Sequence, residues 1–256
     1  MIERNGRPVR DLYEALMPDG QSYRCISLVG GGGKTTFMKR LSEAMCMRAM
    51  PHVLMTTTNM MYPAATVYER EGAAFEAALR ADNPLWAGTG VEKNGMRKLA
   101  APTPALMRRL TAEMYAGRRT LIIEADGARR RPVKVPRDYE PVILPESDVV
   151  VIVVGLDALS GSIAEVAARP EDVATFLKKK ETDRLTCSDL VRIILSSDGL
   201  HRGIPDGTDT VIVLNKADNE IRHREAEQIR TALRAQSDAT VLVTRLMKRR
   251  EDEGTD

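Results

Sequence analysis

Four consecutive glycines, Gly30, Gly31, Gly32 and Gly33, followed by Lys34-Thr35-Thr36, constrain this chain more than any other feature. They sit between a short apolar run, Arg24 to Val29, and a stretch with Phe37, Met38, Leu41 and Met45 at helical spacing. The order reads as strand, glycine loop, helix. Such a loop lets backbone N–H groups converge on an anion, so Gly30, Gly31, Gly32 and Gly33 are all expected to bind phosphate, and the helix N-terminus adds its positive end. Lys34 is then placed to reach terminal phosphates, and the Thr35 hydroxyl is a ligand of the kind Mg²⁺ takes. In the pattern GxxxxGK[ST] the first glycine position is occupied by Leu28, so the GKT half alone matches strictly. The plain alternative is a flexible glycine turn followed by an ordinary lysine.

The rest of the chain supplies the repeats that such a loop needs. His52 to Met55 reads as a second strand, and Thr120 to Ile123 and Val149 to Val154 are aliphatic runs without polar alternation, the pattern of strands covered on both faces. Val211 to Leu214 and Val241 to Val243 repeat that pattern. Between them fall three expected helices. One starts at Pro104 behind the N-cap Thr103, one starts with a Thr186/Asp189 capping box and runs to Leu195, and one spans Glu220 to Arg234. Strands alternating with helices predict an α/β, P-loop NTPase-like fold, a mostly parallel sheet covered by helices on both faces. Residues 1–247 read as one nucleotide-binding domain with a less regular inserted region at about 60–100, where Glu71 to Arg80 is the expected helix and Trp86 to Gly90 a short strand. Residues 248–256 read as a polar tail.

Two further motifs carry chemistry. Asn215-Lys216-Ala217-Asp218 follows an aliphatic strand and has the form NKxD. A carboxylate at Asp218 can accept two parallel hydrogen bonds from guanine, whereas adenine would face it with an acceptor, and Lys216 can lay its methylenes over the base. The alternative is a polar strand-to-helix turn with Asp218 as N-cap. Between the two motifs lies Glu124-Ala125-Asp126-Gly127 at the end of the Thr120 to Ile123 strand, where P-loop enzymes hold the Mg²⁺ shell. Glu124 and Asp126 are both metal and catalytic candidates, and the spacing leaves the choice open. Thr57 and Thr58 close the second strand as candidate phosphate contacts or as ordinary hydrogen-bonded residues. Arg129-Arg130-Arg131, followed by Lys134 among Pro132, Pro136 and Pro141, reads either as a transition-state or docking cation or as a solvated basic loop.

Charge and composition remove other classes. With 38 Lys+Arg against 36 Asp+Glu the net charge is +2, which argues against nucleic-acid binding by bulk charge. Three cysteines without a CxxC pair and three scattered histidines (His52, His201, His223) write neither a disulfide framework nor a zinc site. The methionines between Met45 and Met61 read as adaptable core filling rather than copper ligands. The longest aliphatic run, Val149 to Val154, is far below the ~20 residues of a membrane helix, and no signal sequence is legible, so a cytoplasmic location is expected.

With these residues laid out, the chain resembles the YqeC family of selenium-dependent molybdenum hydroxylase accessory proteins. The matching stretches are ISLVGGGGKTT, TTTN, EADGARRRPVKVP with DYEPVI, VVGLDAL and VLNKAD, and Lys34, Thr35, Glu124, Asp126, Lys134 and Asp218 fall on motif positions. Tyr139 and Ala168 stand where the family often has histidine. The resemblance implies kinship with metal-centre GTPase chaperones, a bound Mg²⁺ and nucleotide, and a protein client in the hydroxylase or its cofactor-maturation machinery. The expected activity is therefore Mg²⁺-dependent nucleoside triphosphate hydrolysis, GTP before ATP. A poorly hydrolysing ATP-binding delivery scaffold and a small-molecule kinase or nucleotidyl transferase are the rivals.

Overall fold

A computed structural model describes residues 1–18, 20–81 and 84–247; the expected polar tail lies outside the described residues. Its centre is a sheet in which eight strands run parallel. In spatial order they are Thr240–Thr244, Asp209–Asn215, Val149–Gly155, Cys25–Gly30, Thr120–Glu124, His52–Thr56, Leu85–Ala87 and Val67–Tyr68. The glycine-loop strand Cys25–Gly30 is thus flanked by the strand that ends in Glu124 and by Val149–Gly155. An antiparallel hairpin, Ile2–Arg4 with Arg7–Pro8, extends the sheet beyond Thr240–Thr244.

Strand residues alternate between two cores, as the period of two requires. Val150, Ile152 and Val154 join Val173, Leu190, Ile193, Ile229 and Leu233 from helices on one face. Val149, Val151 and Val153 point the other way, against Leu12, Leu16, Phe37, Met38, Leu41 and Met45. Leu106, Leu110 and Met114 of the Pro104–Tyr115 helix cover Leu121 and Ile123 further along the sheet. Helices on both faces explain why the central strands are continuous aliphatic runs.

Local expectations hold closely. The Pro104–Tyr115 helix begins behind Thr103, whose side chain accepts from the Leu106 N–H. The Cys187–Leu195 helix carries the Thr186/Asp189 capping box. Met45, Met55 and Met60 are buried, as core filling requires, whereas Met47 and Met61 are exposed. The region 60–100 differs from the single strand expected there. Leu85–Ala87 joins the main sheet, and after Gly88 the chain forms a separate antiparallel sheet of Asn59–Met61, Met96–Ala100 and Thr89–Lys93. Gly88 has φ +158°, and an added Cβ would overlap the Ala100 carbonyl and the Leu99 side chain, so the chain changes sheet where only glycine fits.

Candidate functional site

The glycine loop, the Glu124 turn and the NKAD tetrapeptide all leave carboxyl ends of parallel strands on the same edge of the sheet, where open α/β sheets bind ligands. Gly30 ends its strand, and Lys34 begins the helix Lys34–Cys46, so Thr35 and Thr36 lie in its first turn. Gly32 has φ +73°, and a Cβ there would collide with the backbone of Gly155 on the neighbouring strand. The loop therefore packs against the sheet at a distance that only glycine permits.

In the first part of the loop the backbone amides are held by protein acceptors. Gly31 is buried, and its N–H donates to the Val153 carbonyl at 2.8 Å. A Cβ on Gly31 would lie 2.6 Å from the Arg131 carbonyl oxygen and 2.9 Å from that of Pro132. The Gly30 N–H goes to Asp126 at 3.0 Å and the Gly32 N–H to the Arg131 carbonyl at 2.9 Å. An amide engaged by a protein acceptor has no second hydrogen to give. Gly31, with Gly30 and Gly32, thus anchors the loop between the sheet and the segment after Gly127. The amides at the start of the Lys34–Cys46 helix, whose N-cap is Gly33, are those that a helix leaves without intrahelical partners.

Lys34 is almost wholly buried. Its ammonium donates to the Gly30 carbonyl at 2.5 Å, pairs with Asp126 at 3.0 Å and lies 3.9 Å from Glu124. Burial opposes its charge, but Asp126 and Glu124 outweigh burial and raise its pKa. The two carboxylates that sequence left undecided have different surroundings. Glu124 accepts the Thr35 hydroxyl at 2.7 Å, and burial pushes its pKa above the ordinary value despite Lys34 and that hydrogen bond. Asp126 instead accepts the Gly30 N–H and stands between Lys34 and Lys134, the latter at 3.2 Å. Burial would raise its pKa, but Lys34, Lys134 and the Gly30 N–H hold it below the usual range. Thr35 and Glu124 together offer hard oxygen ligands of the kind Mg²⁺ prefers, and a carboxylate disfavoured by burial gains from a divalent cation beside it.

Asn215 ties the NKAD element to the loop. Its amide donates to the Gly32 carbonyl at 2.8 Å, and its carbonyl accepts the Thr244 hydroxyl at 2.9 Å, with both side chains buried. A Cβ on Gly33 would strike that same amide. Lys216 adopts φ +66°, and its ammonium donates to Asp157 at 2.6 Å. Asp218 is exposed in the loop before the helix Glu220–Arg234, and the N-cap of that helix is Asn219, whose side chain accepts from the Arg222 N–H. The capping explanation of Asp218 is thereby removed. Thr244 and Asp157 were not singled out as site residues; their signal is that each follows or closes an aliphatic strand at the sheet's carboxyl edge.

Of the second-strand threonines, Thr56 and Thr57 hydrogen-bond to backbone through their side chains. The Thr56 hydroxyl donates to the Glu124 carbonyl at 2.7 Å and the Thr57 hydroxyl to the Val142 carbonyl at 2.6 Å, while the Thr58 N–H donates to the Thr56 hydroxyl. Their side chains fasten the Glu124 strand end and the proline-rich segment. Arg129, Arg130 and Arg131 are exposed. Lys134 is wholly buried; its ammonium donates to the Gly127 carbonyl at 3.0 Å and pairs with Glu140. The histidines stay scattered in the fold: His52 is buried between Ser42 and the Met50 carbonyl, and His223 groups with Glu3 and Glu227 beside the edge hairpin.

The YqeC protein family model matches residues 26–171, which include the glycine loop, the Glu124 turn and the Lys134 segment. The chain belongs to the YqeC family. A relative from Escherichia coli (strain K12), named "Uncharacterized protein YqeC", is 29% identical over 199 residues, covering 75% of each chain. No solved structure matches. Among the described residues no helix is long and apolar enough to cross a membrane.

Proposed function

We propose that this YqeC protein is a cytoplasmic, Mg²⁺-dependent nucleoside triphosphatase that prefers GTP and serves the maturation of a selenium-dependent molybdenum hydroxylase. The observation that carries the nucleotide reading is the Asn215 side chain, which joins the Gly32 carbonyl of the phosphate loop to the NKAD turn. One nucleotide then spans a phosphate cradle and a base-reading carboxylate held in a fixed relation. Amides at the start of the Lys34–Cys46 helix and the Lys34 ammonium offset phosphate charge. Thr35 and Glu124 hold Mg²⁺, which when bound supplies charge neutralisation at the terminal phosphates. Asp126, between two lysines, orients Lys34 and the Gly30 amide rather than serving as a metal ligand. Asp218 selects guanine, and Lys216 covers the base.

A second reading, a delivery scaffold that turns over slowly by itself, is favoured by the state of Asp126. A carboxylate held below its ordinary pKa by Lys34 and Lys134 is a poor base toward water. The hydroxylase client follows from the family resemblance, with the exposed arginines 129–131 as its docking surface. Phosphate release assayed with Mg²⁺-GTP and with Mg²⁺-ATP tests the reading. GTP turnover that is lost with EDTA and in Lys34→Ala supports it. Turnover retained in Lys34→Ala removes the phosphate-loop assignment, and transfer of phosphate to a small acceptor would replace it with a kinase.

A further inference from the structure

A row of alternating charges leads away from the phosphate loop into the protein and out again. Lys34 pairs with Asp126 at 3.0 Å, Asp126 with Lys134 at 3.2 Å and Lys134 with Glu140; Glu140 pairs with Arg169 at 2.6 Å and Arg169 with Asp172 at 3.1 Å. The row ends at Arg137, 2.7 Å from Asp172 and at the surface beside the exposed Tyr139. Side-chain exposure along the inner part is 4% for Lys34, 1% for Asp126, 0% for Lys134, 12% for Glu140 and 9% for Arg169. Each carboxylate is shared by two cations. In so dry a setting the loss of one partner is made good by tightening on the other, because solvent cannot replace it.

The backbone is arranged to feel such an exchange. Lys134 ends the two-residue strand Val133–Lys134, which pairs with Ala167–Ala168. The next residue, Arg169, is held at φ +62° as the N-cap of the helix Pro170–Leu177, which carries Asp172. A non-glycine residue in that conformation is disfavoured and persists because its surroundings hold it there. At the loop end, the Arg131 carbonyl accepts the Gly32 N–H and the Pro132 carbonyl accepts the Gly155 N–H. The segment 131–142 is thus bonded to the phosphate loop at one end and to the Arg169 turn at the other.

Resting on the nucleotide reading above, we propose that this row reports the state of the phosphate site to the surface formed by Arg137, Tyr139 and the Arg169 turn. The Lys34 ammonium donates to the Gly30 carbonyl and is ion-paired with Asp126 at 3.0 Å, with Glu124 farther off at 3.9 Å, so its charge is already engaged. A terminal phosphate that engages Lys34 displaces Asp126. Asp126 then leans on Lys134, Lys134 yields part of its hold on Glu140, and Glu140 turns to Arg169. The sequence is an exchange of ion-pair partners with no proton transfer. The 167–173 turn in one nucleotide state therefore differs from that in the other, and a client seated on this surface distinguishes them.

Amide hydrogen exchange of the full chain, with and without Mg²⁺ and a non-hydrolysable GTP analogue, tests this in wild type and Glu140→Gln. In wild type the analogue changes exchange at residues 30–36, 131–142 and 167–173. In Glu140→Gln the change at 30–36 persists, analogue affinity stays within about threefold, and the change at 167–173 disappears. Arg169→Gln, which cuts the same joint from its outer side, gives the same loss and serves if Glu140→Gln does not fold. A wild-type response confined to 30–36, or an undiminished response at 167–173 in a folded variant, overturns the relay and leaves the nucleotide reading standing. No protection at 30–36 in any form overturns both.

Discussion

Replacing Lys134 by methionine tests the buried charge row apart from the glycine loop. The ammonium is fully buried and serves Asp126 at 3.2 Å, the Gly127 carbonyl at 3.0 Å and Glu140. Methionine keeps most of the stem volume, so the loss is chiefly electrostatic. Breaking a buried ion pair by removing one partner costs about 3–5 kcal/mol. Here Asp126 keeps Lys34 and Glu140 keeps Arg169, which places the expected loss near the lower bound, about 3 kcal/mol. For a chain of this size each kcal/mol lowers Tm by roughly 2–4 °C, so the variant melts roughly 6–12 °C below wild type. Calorimetry or urea titration measures this. The double variant Lys134→Met/Glu140→Gln, which removes the surplus carboxylate as well, recovers part of the loss, and the non-additivity measures the coupling. A single variant that melts within about 2 °C of wild type, a change below about 1 kcal/mol, refutes the view that Lys134 neutralises the interior of this site.

Other expected outcomes follow from particular contacts. Gly32→Ala forces a Cβ into the Gly155 backbone at φ +73°, so it lowers stability and weakens triphosphate binding together, as melting and equilibrium binding will show. Asn215→Ala leaves the Thr244 hydroxyl and the Gly32 carbonyl without their partner; a buried unsatisfied group costs about 1–3 kcal/mol, and binding of GDP by calorimetry weakens with it. Glu113, held down to about 2 by Arg118 against the opposing effect of burial and with help from Arg109, adds stability that is fully present above its ordinary value near 4.5. That contribution is lost as pH falls from there toward 2, so Glu113→Gln melts at a lower temperature than wild type at pH 7, with the gap closing at acid pH.

The parallel framework was legible because its strands are buried on both faces and read as uninterrupted aliphatic runs, each followed by a helix with its own cap. Glycine loop, Glu124 turn and NKAD could be placed on one edge for the same reason, since each directly follows such a run. What a run of glycines does not reveal is where each amide points, and so the engagement of Gly31 with Val153 was hidden. Two hairpins were not found. Ile2–Arg4 with Arg7–Pro8, and Thr89–Lys93 with Met96–Ala100, are short and almost all half-buried or exposed, so they lack an apolar signature. Each turns at an Asn-Gly pair, Asn5-Gly6 and Asn94-Gly95, with positive φ at both residues, and that dipeptide was the available signal. Which of Glu124 and Asp126 meets Thr35 depends on side-chain directions at a strand end, which spacing does not determine. The charge row was out of reach because Lys134 and Arg169 are brought together by a two-residue parallel pairing between distant segments.

The nucleotide reading stands or falls on base selection. Competitive binding of GDP and ADP with Mg²⁺ to the purified protein, repeated with Asp218→Ala, measures it most directly. The account predicts a guanine preference of more than about tenfold, from the paired hydrogen bonds that Asp218 accepts from guanine and not from adenine, and this preference collapses in the variant. Equal or adenine-favouring affinity, unchanged by the substitution, would contradict it and reduce NKAD to a structural turn.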